Sequence, residues 1–314
     1  MGRSTNFAGI IPGSKYLVVI AGPTAVGKTA LAIQLAKLYG TEIISADSRQ
    51  VYKGLTIGTA KPTREQLLEV RHHFINTQPV DELYGAGHFE KDVNPKLDSL
   101  FAMHDLVIMV GGSGLYIDAV LHGVDDFTEV PSAIRTGLNL EFKNKGLPWL
   151  QAEVQRIDPS YFSVADVFNP QRLIRALEVF LHTGSPYSSF LKKEKTTRPF
   201  IPIKILVNME REKLYGQINK RVDEMMQNGL LEEAILFKDQ KHLNALKTVG
   251  YKELYEHLEG KITLQEAVEK IKQHTRNYAK RQLTWFKNKD IFEEFTPHDF
   301  DRIKNYIDLT VANG

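Results

Sequence analysis

Tyr16-Leu-Val-Val-Ile-Ala21 is an unbroken apolar run rich in β-branched residues, the pattern of a strand buried on both faces of a parallel sheet. It passes into a glycine-containing loop. Apolar positions then recur at helical spacing from Ala30 to Tyr39 and stop at Gly40, a C-terminal helix signal. Thr41–Ala46 predicts a second strand ending at Asp47, and Asp105–Val110 another that runs into Gly111-Gly-Ser-Gly114. Strands alternating with helical stretches argue for an α/β core around a parallel sheet. Such sheets bind ligands beyond the carboxyl ends of their strands, which is where Asp47 and Gly111–Gly114 would sit.

From about Asp125 to Arg198 the pattern changes to short helical periods, and Ile201–Val207 then resumes a strand-like run. A helical insertion into a discontinuous core explains that order. The expected organisation is a loose leader at 1–15, a first core segment at 16–124, an all-helical insertion at 125–199 and the rest of the core at 200–314. Within the insertion, Asn169-Pro170 supply a cap and first turn, Leu173, Leu177 and Phe180 share a face, and Gly184 ends the helix. Arg172 and Arg175 lie on the other face. Beyond Glu210 the pattern is mostly helical, including a helix over Arg211–Gln227.

With 314 residues, 42% hydrophobic and 25% charged, the chain has the composition of a globular protein with a sizeable core. It contains no cysteine, which excludes disulfides, thiolate metal sites and a cysteine nucleophile and fits a reducing intracellular compartment. Tyr16–Ala21 is far too short to span a bilayer or form a signal-peptide core. The net charge of only +2 hides a segregated distribution: Lys270–Lys289 holds seven basic residues, Arg281 among them, and no acidic one. On a helix, Lys272, Arg276, Lys280 and Lys287 fall within an arc of about 80°. Phosphate contacts account for such a stripe better than a merely solvated face does. Ile271, Tyr278, Trp285 and Phe286 would pack or stack.

The chemistry begins at Gly22-Pro-Thr-Ala-Val-Gly-Lys-Thr29, which matches G-x-x-x-x-G-K-[ST] between a predicted strand and helix. Gly22, Pro23, Thr24, Ala25, Val26 and Gly27 would wrap a diphosphate, with backbone N–H groups from all of them but Pro23, Lys28 would neutralise it and Thr29 would hold Mg²⁺. A nucleoside triphosphatase normally adds a strand-end aspartate for the metal. Here the strand at Asp105–Val110 ends in glycine, so a diphosphate acting as leaving group fits better than a γ-phosphate under attack. Asp47 is a turn or cap residue, a base toward a second substrate, or the metal-holding carboxylate. Ser113 offers a hydroxyl at the same edge or simply makes the turn. Arg221, beside the Leu214, Ile218, Met225 stripe, either snorkels or reaches inward to the diphosphate. The adjacent His72 and His73 point to different sides and have no evident third partner for a metal.

Six segments in order carry a resemblance: Gly22–Thr29, Asp47-Ser-Arg-Gln-Val-Tyr52, Gly58-Thr-Ala-Lys-Pro62, Gly111-Gly-Ser-Gly-Leu-Tyr116, Asn169-Pro-Gln-Arg-Leu-Ile-Arg-Ala-Leu-Glu178 and Thr275–Phe286. Together they resemble the tRNA dimethylallyltransferase family over nearly the whole chain. The resemblance implies a P-loop NTPase-like core with a helical insertion. It also implies Mg²⁺-dependent transfer of a dimethylallyl group from dimethylallyl diphosphate to N6 of adenosine 37 in the anticodon loop of tRNA, by a cytoplasmic enzyme expected to be a monomer. It makes Asp47 the general base and gives the phosphate loop to the prenyl diphosphate, with Lys28 and Ser113 expected as catalytic companions; Arg221 is expected at the diphosphate from its place on the helix alone. Ser113 stands where the family usually has threonine. The resemblance assigns tRNA contact to Asp47, Ser48, Arg49, Gln50 and Ser113, to Gln171, Arg172, Leu173, Ile174 and Arg175, and more loosely to Arg135. The basic stripe adds Arg276, Lys280 and Arg281. Three rivals remain: a small-molecule kinase, a non-catalytic RNA-binding protein, and a prenyltransferase acting on free adenine nucleotides.

Overall fold

β1 (Tyr16–Ala21) is buried at every position, as its apolar run requires, and it forms the centre of the sheet. On one side it pairs in parallel with β4 (Leu106–Gly111), on the other with β5 (Ile201–Val207), and the register sets Ala21 opposite both Gly111 and Leu206. β2 (Ile43–Ser45) and β3 (His72–His73) extend the β4 side and β6 (Glu293–Phe295) the β5 side. The order is β3-β2-β4-β1-β5-β6, all parallel, so the carboxyl ends of β1, β2 and β4 meet at one edge. This is a P-loop NTPase-like α/β core. The computed structural model describes residues 13–124, 130–191 and 196–313.

The described chain divides into two compact units, one running to His122 and resuming at Thr197, the other Gly123–Thr196. The sequence expectation set this division at 125 and 199. In the first unit the helices are α1 (Lys28–Tyr39), α2 (Arg64–Glu69), α3 (Ala86–Phe101), α4 (Gly114–His122), α8 (Arg211–Gln227), α9 (Leu230–Leu236), α10 (Tyr251–Leu258), α11 (Leu264–Lys289) and α12 (Phe300–Asn313). Leu31 and Leu35 of α1, Leu214 and Ile218 of α8, and Ile303 and Ile307 of α12 pack with Val18, Ile20, Ile205 and Val207 into one core. α1 ends where Gly40 takes the left-handed conformation at φ 63°, with its N–H on Ala36 O.

The second unit contains α5 (Ser132–Ile157, broken at Gly146), α6 (Pro159–Phe162) and α7 (Pro170–Thr183). Asn169 caps α7 by accepting from Gln171 N at 3.1 Å, and Gly184 closes it at φ 73°. Leu173, Ile174 and Leu177 join Leu150 and Val154 in a core of this unit's own.

Several expectations shift. β2 is shorter than Thr41–Ala46, β4 lies one residue later than Asp105–Val110, and α11 begins six residues before Lys270, fixed by a capping box between Thr263 and Glu266. His72 and His73 are a strand, with His73 Nε2 2.6 Å from Glu42 Oε2. Residues 1–12 of the expected leader lie outside the described residues. Lys15 is already tied down: its Nζ donates to Asp105 Oδ1 (2.8 Å) and its carbonyl accepts from Ile201 N (2.7 Å). Among the described residues no helix is long and apolar enough to cross a membrane.

Candidate active site

The loop after β1 runs directly into α1, as the motif predicts, but its Thr24 N–H is already given to a side chain, Gln282 Oε1, and is not free for a diphosphate. Ala25 is held at φ 66°, a left-handed conformation that costs a residue with a side chain about 1–3 kcal/mol and is tolerated at ligand sites. Lys28, the first residue of α1, turns its ammonium back onto Pro23 O at 2.6 Å. Burial, followed by the Arg221 guanidinium, pushes that ammonium down to about pH 7, against a smaller upward pull from Asp47. Arg221 projects from α8 with Nη1 3.5 Å from Thr24 Oγ1. Its own pKa is lowered, first by burial, while Asp47 and Glu224 pull it back up. Two basic groups thus lie at one loop, both partly stripped of water, an arrangement whose chemistry suits an anion. Of the two options for Arg221, the structure favours the inward reach.

A glutamine that the sequence reading did not assign fastens this loop. Gln282 of α11, one of the few buried polar residues, accepts from Thr24 N at 2.8 Å and donates to Gly112 O at 2.8 Å. α11 lies so close to the glycine turn that a Cβ on Gly112 would stand 2.2 Å from Gln282 Nε2, and one on Gly114 2.1 Å from Trp285 Cδ1. The turn therefore needs glycine at both places, with a side chain only at Ser113 between them.

Asp47 follows β2 and uses Oδ1 as a turn cap, accepting from Arg49 N (2.8 Å) and Gln50 N (3.2 Å). Oδ2 has no hydrogen-bond partner among the described residues, and Asp47 is one of the residues that line the cavity. The cap reading is met by Oδ1, and one carboxylate oxygen is left over for a second role. Ser113 Oγ accepts from Ser48 N at 2.9 Å and lies 3.1 Å from Ser48 Oγ, joining the glycine turn to the segment that carries Asp47. Tyr278 of α11 stands within hydrogen-bonding reach of Ser113, and burial, then the Asp47 charge, pushes its hydroxyl up to about 12. It is a neutral donor with an aromatic face.

These groups open on a cavity of about 550 Å³, within the range of small-molecule sites. Its polar end is made by Thr24, Lys28, Thr29, Arg221 and Gln282, and Asp47 and Arg281 also line it. Val222, Met225, Leu230, Val249 and Ile271 supply an apolar lining. One wall is the 58–60 loop, whose Thr59 and Ala60 carbonyls accept from Gln50 Nε2 at 3.3 and 3.0 Å.

The basic stripe is corrected. Acids from other segments reach the cations that have none within Lys270–Lys289. Lys272 lies between Asp223 (2.8 Å) and Glu269 (3.1 Å), Lys287 meets Glu294 (3.0 Å), and Lys270 meets Glu256 (3.0 Å). Arg276 donates to Asn219 Oδ1 at 2.6 Å and lies over Tyr215. Lys280, without a side-chain partner among the described residues, and Arg281, whose guanidinium lies over the Tyr278 ring at the cavity, are both exposed.

In the helical unit, Leu173 and Ile174 are fully buried in the unit's core, so their side chains offer no surface to RNA. Arg135 and Arg175 both pair with the buried Glu178, Arg175 at 3.3 Å. Gln171 and Arg172 are exposed on the first turn of α7.

Comparison with known proteins gives consistent matches. A family model described as IPP transferase matches residues 50–289. The tRNA dimethylallyltransferase of Christiangramia forsetii is 50% identical over 299 residues, covering 94% of this chain and 99% of that protein. That of Flavobacterium johnsoniae is 46% identical over 282 residues, covering 88% and 91%. A solved full-length tRNA isopentenylpyrophosphate transferase from Bacillus halodurans matches with a TM-score of 0.68 and 37% identity over 96% of each chain. A eukaryotic dimethylallyltransferase solved acting on tRNA matches with a TM-score of 0.76 and 25% identity, covering 95% of this chain and 77% of that one.

Proposed function

The chain belongs to the tRNA dimethylallyltransferase family, and from that premise we propose that it transfers the dimethylallyl group of dimethylallyl diphosphate to N6 of adenosine 37 in the tRNA anticodon loop, acting as a cytoplasmic monomer. The observation that carries this reading is the pairing, in one cavity, of a two-cation phosphate loop with a carboxylate oxygen left free at Asp47.

An exocyclic adenine amine is a weak nucleophile because its lone pair is delocalised into the ring, so the electrophile must be activated. Lys28, Arg221 and the loop N–H groups stabilise the charge that develops on the departing diphosphate, the electrostatic contribution that is often largest in catalysis. The C–O bond to diphosphate breaks as the N6–C bond forms. Asp47 Oδ2 orients the amine toward the allylic carbon and takes its proton. Tyr278 supplies an aromatic face and a neutral hydroxyl beside the adenine.

Magnesium fits the residues present. Mg²⁺ takes few protein ligands and is bound largely through substrate phosphates, and the Thr29 hydroxyl, beside Lys28 in the same cavity, would be its protein ligand. Bound there, it would neutralise part of the diphosphate's charge. Gln171 and Arg172 on α7, and Lys280 and Arg281 on α11, are the surface groups that suit RNA phosphates. Extruding a loop adenosine costs a few kcal/mol, recovered in an enclosing pocket.

The test is labelling with Mg²⁺ and labelled dimethylallyl diphosphate. An anticodon stem-loop containing the target adenosine should be labelled and AMP poorly. Equal labelling of both would turn the reading to free nucleotides.

A further inference from the structure

Glu233, the fourth residue of α9, is a buried carboxylate with no place in the reaction above. It faces three successive backbone amides of the cavity-wall loop: Oε2 accepts from Thr56 N (2.8 Å) and Ile57 N (2.9 Å), Oε1 from Gly58 N (2.9 Å). Tyr251, the first residue of α10, adds its hydroxyl to Oε1 at 2.6 Å. Consecutive N–H groups turned to one point form an anion-binding nest, and here the anion is the chain's own. The Tyr251 ring closes over it so tightly that a Cβ on Gly58 would lie 2.6 Å from ring carbons.

The clamp sits at the start of a connected path. The held loop continues through Thr59 to Ala60, whose φ of 51° is a left-handed conformation that persists only where surroundings over-determine it. The Thr59 and Ala60 carbonyls accept from Gln50 Nε2, and Gln50 N in turn donates to Asp47 Oδ1. Lys61 anchors the far end, with Nζ 2.5 Å from Tyr52 O and from Asn76 Oδ1. Each link from Glu233 to Asp47 is a hydrogen bond with a backbone group on one side, so displacing the loop reorients the segment that aims Asp47.

We propose that Glu233, with Tyr251, is a positioning residue for catalysis: it fixes the 56–60 loop, and through Gln50 it fixes the direction of the Asp47 carboxylate toward the adenine amine. The assignment rests on the function proposed above. A carboxylate is needed because four donors converge on its two oxygens. Glutamine would turn an NH₂ group against at least two of them.

The experiment uses the full chain as wild type, Glu233→Gln, Tyr251→Phe, Asp47→Asn and the Glu233→Gln/Asp47→Asn double variant. Turnover and KM are measured for an anticodon stem-loop and for dimethylallyl diphosphate, with thermal midpoints recorded. Glu233→Gln should lower kcat by about 10²-fold, the cost of a misplaced catalytic group, with the KM for the diphosphate within about twofold of wild type. In the Asp47→Asn background the same substitution should cost less than about threefold, because the group it aims no longer acts as a base. An equal loss in both backgrounds, or normal kcat in Glu233→Gln, overturns the assignment. Should Glu233→Gln fail to fold, Tyr251→Phe repeats the test on a smaller scale, with kcat about fivefold lower and the diphosphate KM unchanged. An unchanged kcat there overturns the assignment equally. Wild-type protein that labels no RNA would refute the proposed function and with it the assignment that rests on it, whereas an active wild type with any of the overturning outcomes above refutes the assignment alone.

Discussion

The depressed ammonium of Lys28 makes donor binding a proton-linked event, and pH is the perturbation that exposes it. In the free site the group titrates about pH 7, because burial and the neighbouring Arg221 guanidinium both disfavour its charge. A bound diphosphate reverses that balance and raises the pKa toward or beyond its ordinary value of 10.5. The sign follows: the protonated form binds, so affinity is full below the free-site pKa and declines as pH rises through it. With the free group titrating about pH 7 and the bound group protonated throughout, Kd scales with one plus the ratio of neutral to charged Lys28. It therefore rises about 25-fold between about pH 7.5 and about pH 9. The ligand's own last ionisation, near pH 6 for a phosphate ester, is complete across that window and does not contribute. Calorimetry with dimethylallyl diphosphate in two buffers of different ionisation enthalpy reads both quantities, and near pH 8 the complex should take up about one proton. Arg221→Gln should weaken binding at neutral pH, through the lost charge, while moving the break in Kd upward, because a neighbour that depresses Lys28 is gone. A Kd flat across the window, with no buffer-dependent heat, would show that Lys28 stays charged in the empty loop and would refute this reading of the site.

Other substitutions follow from the same geometry. Asp47→Asn should retain RNA affinity in a filter-binding assay while turnover falls by about 10²-fold or more, in line with the loss of a general base. Lys280→Ala should reduce the slope of log K against log salt for RNA binding by about one, whereas Lys272→Ala should change it much less, since that ammonium is already shared between Asp223 and Glu269. Ser113→Ala should loosen the joint to Ser48 and lower kcat, and Ser113→Thr should keep it, because the group that matters is the hydroxyl receiving Ser48 N. Gly112→Ala places a methyl against Gln282 and should lower stability in thermal melts by about 1–3 kcal/mol, as overpacking does.

What the sequence reveals and what it hides divide along physical lines. β1, β5 and α8 match their expected limits residue for residue, because a long apolar run or a clear helical period is a local signal. The two outer strands are invisible: β3 and β6 are two and three residues long, too short to show any alternation. The phosphate loop and Asp47 are legible because their chemistry is written in contiguous residues. The groups that hold them are not. Gln282 reaches Thr24 across 258 residues, and Glu233 reaches Gly58 across 175, so neither partnership leaves a local pattern. The basic stripe misleads for the same reason: Lys272 finds Asp223 on another helix, and Lys287 finds Glu294 beyond the end of its own.

The central claim is that the loop around Lys28 holds a pyrophosphate whose carbon, and not phosphorus, is attacked. Dimethylallyl diphosphate carrying ¹⁸O at the bridge between carbon and phosphorus decides the matter in one turnover assay with an anticodon stem-loop. The account predicts that the heavy oxygen leaves entirely with inorganic diphosphate while the five-carbon group appears on the adenosine N6. Heavy oxygen retained in a prenyl alcohol, or a phosphoryl group moved from ATP while the five-carbon donor stays intact, would contradict it.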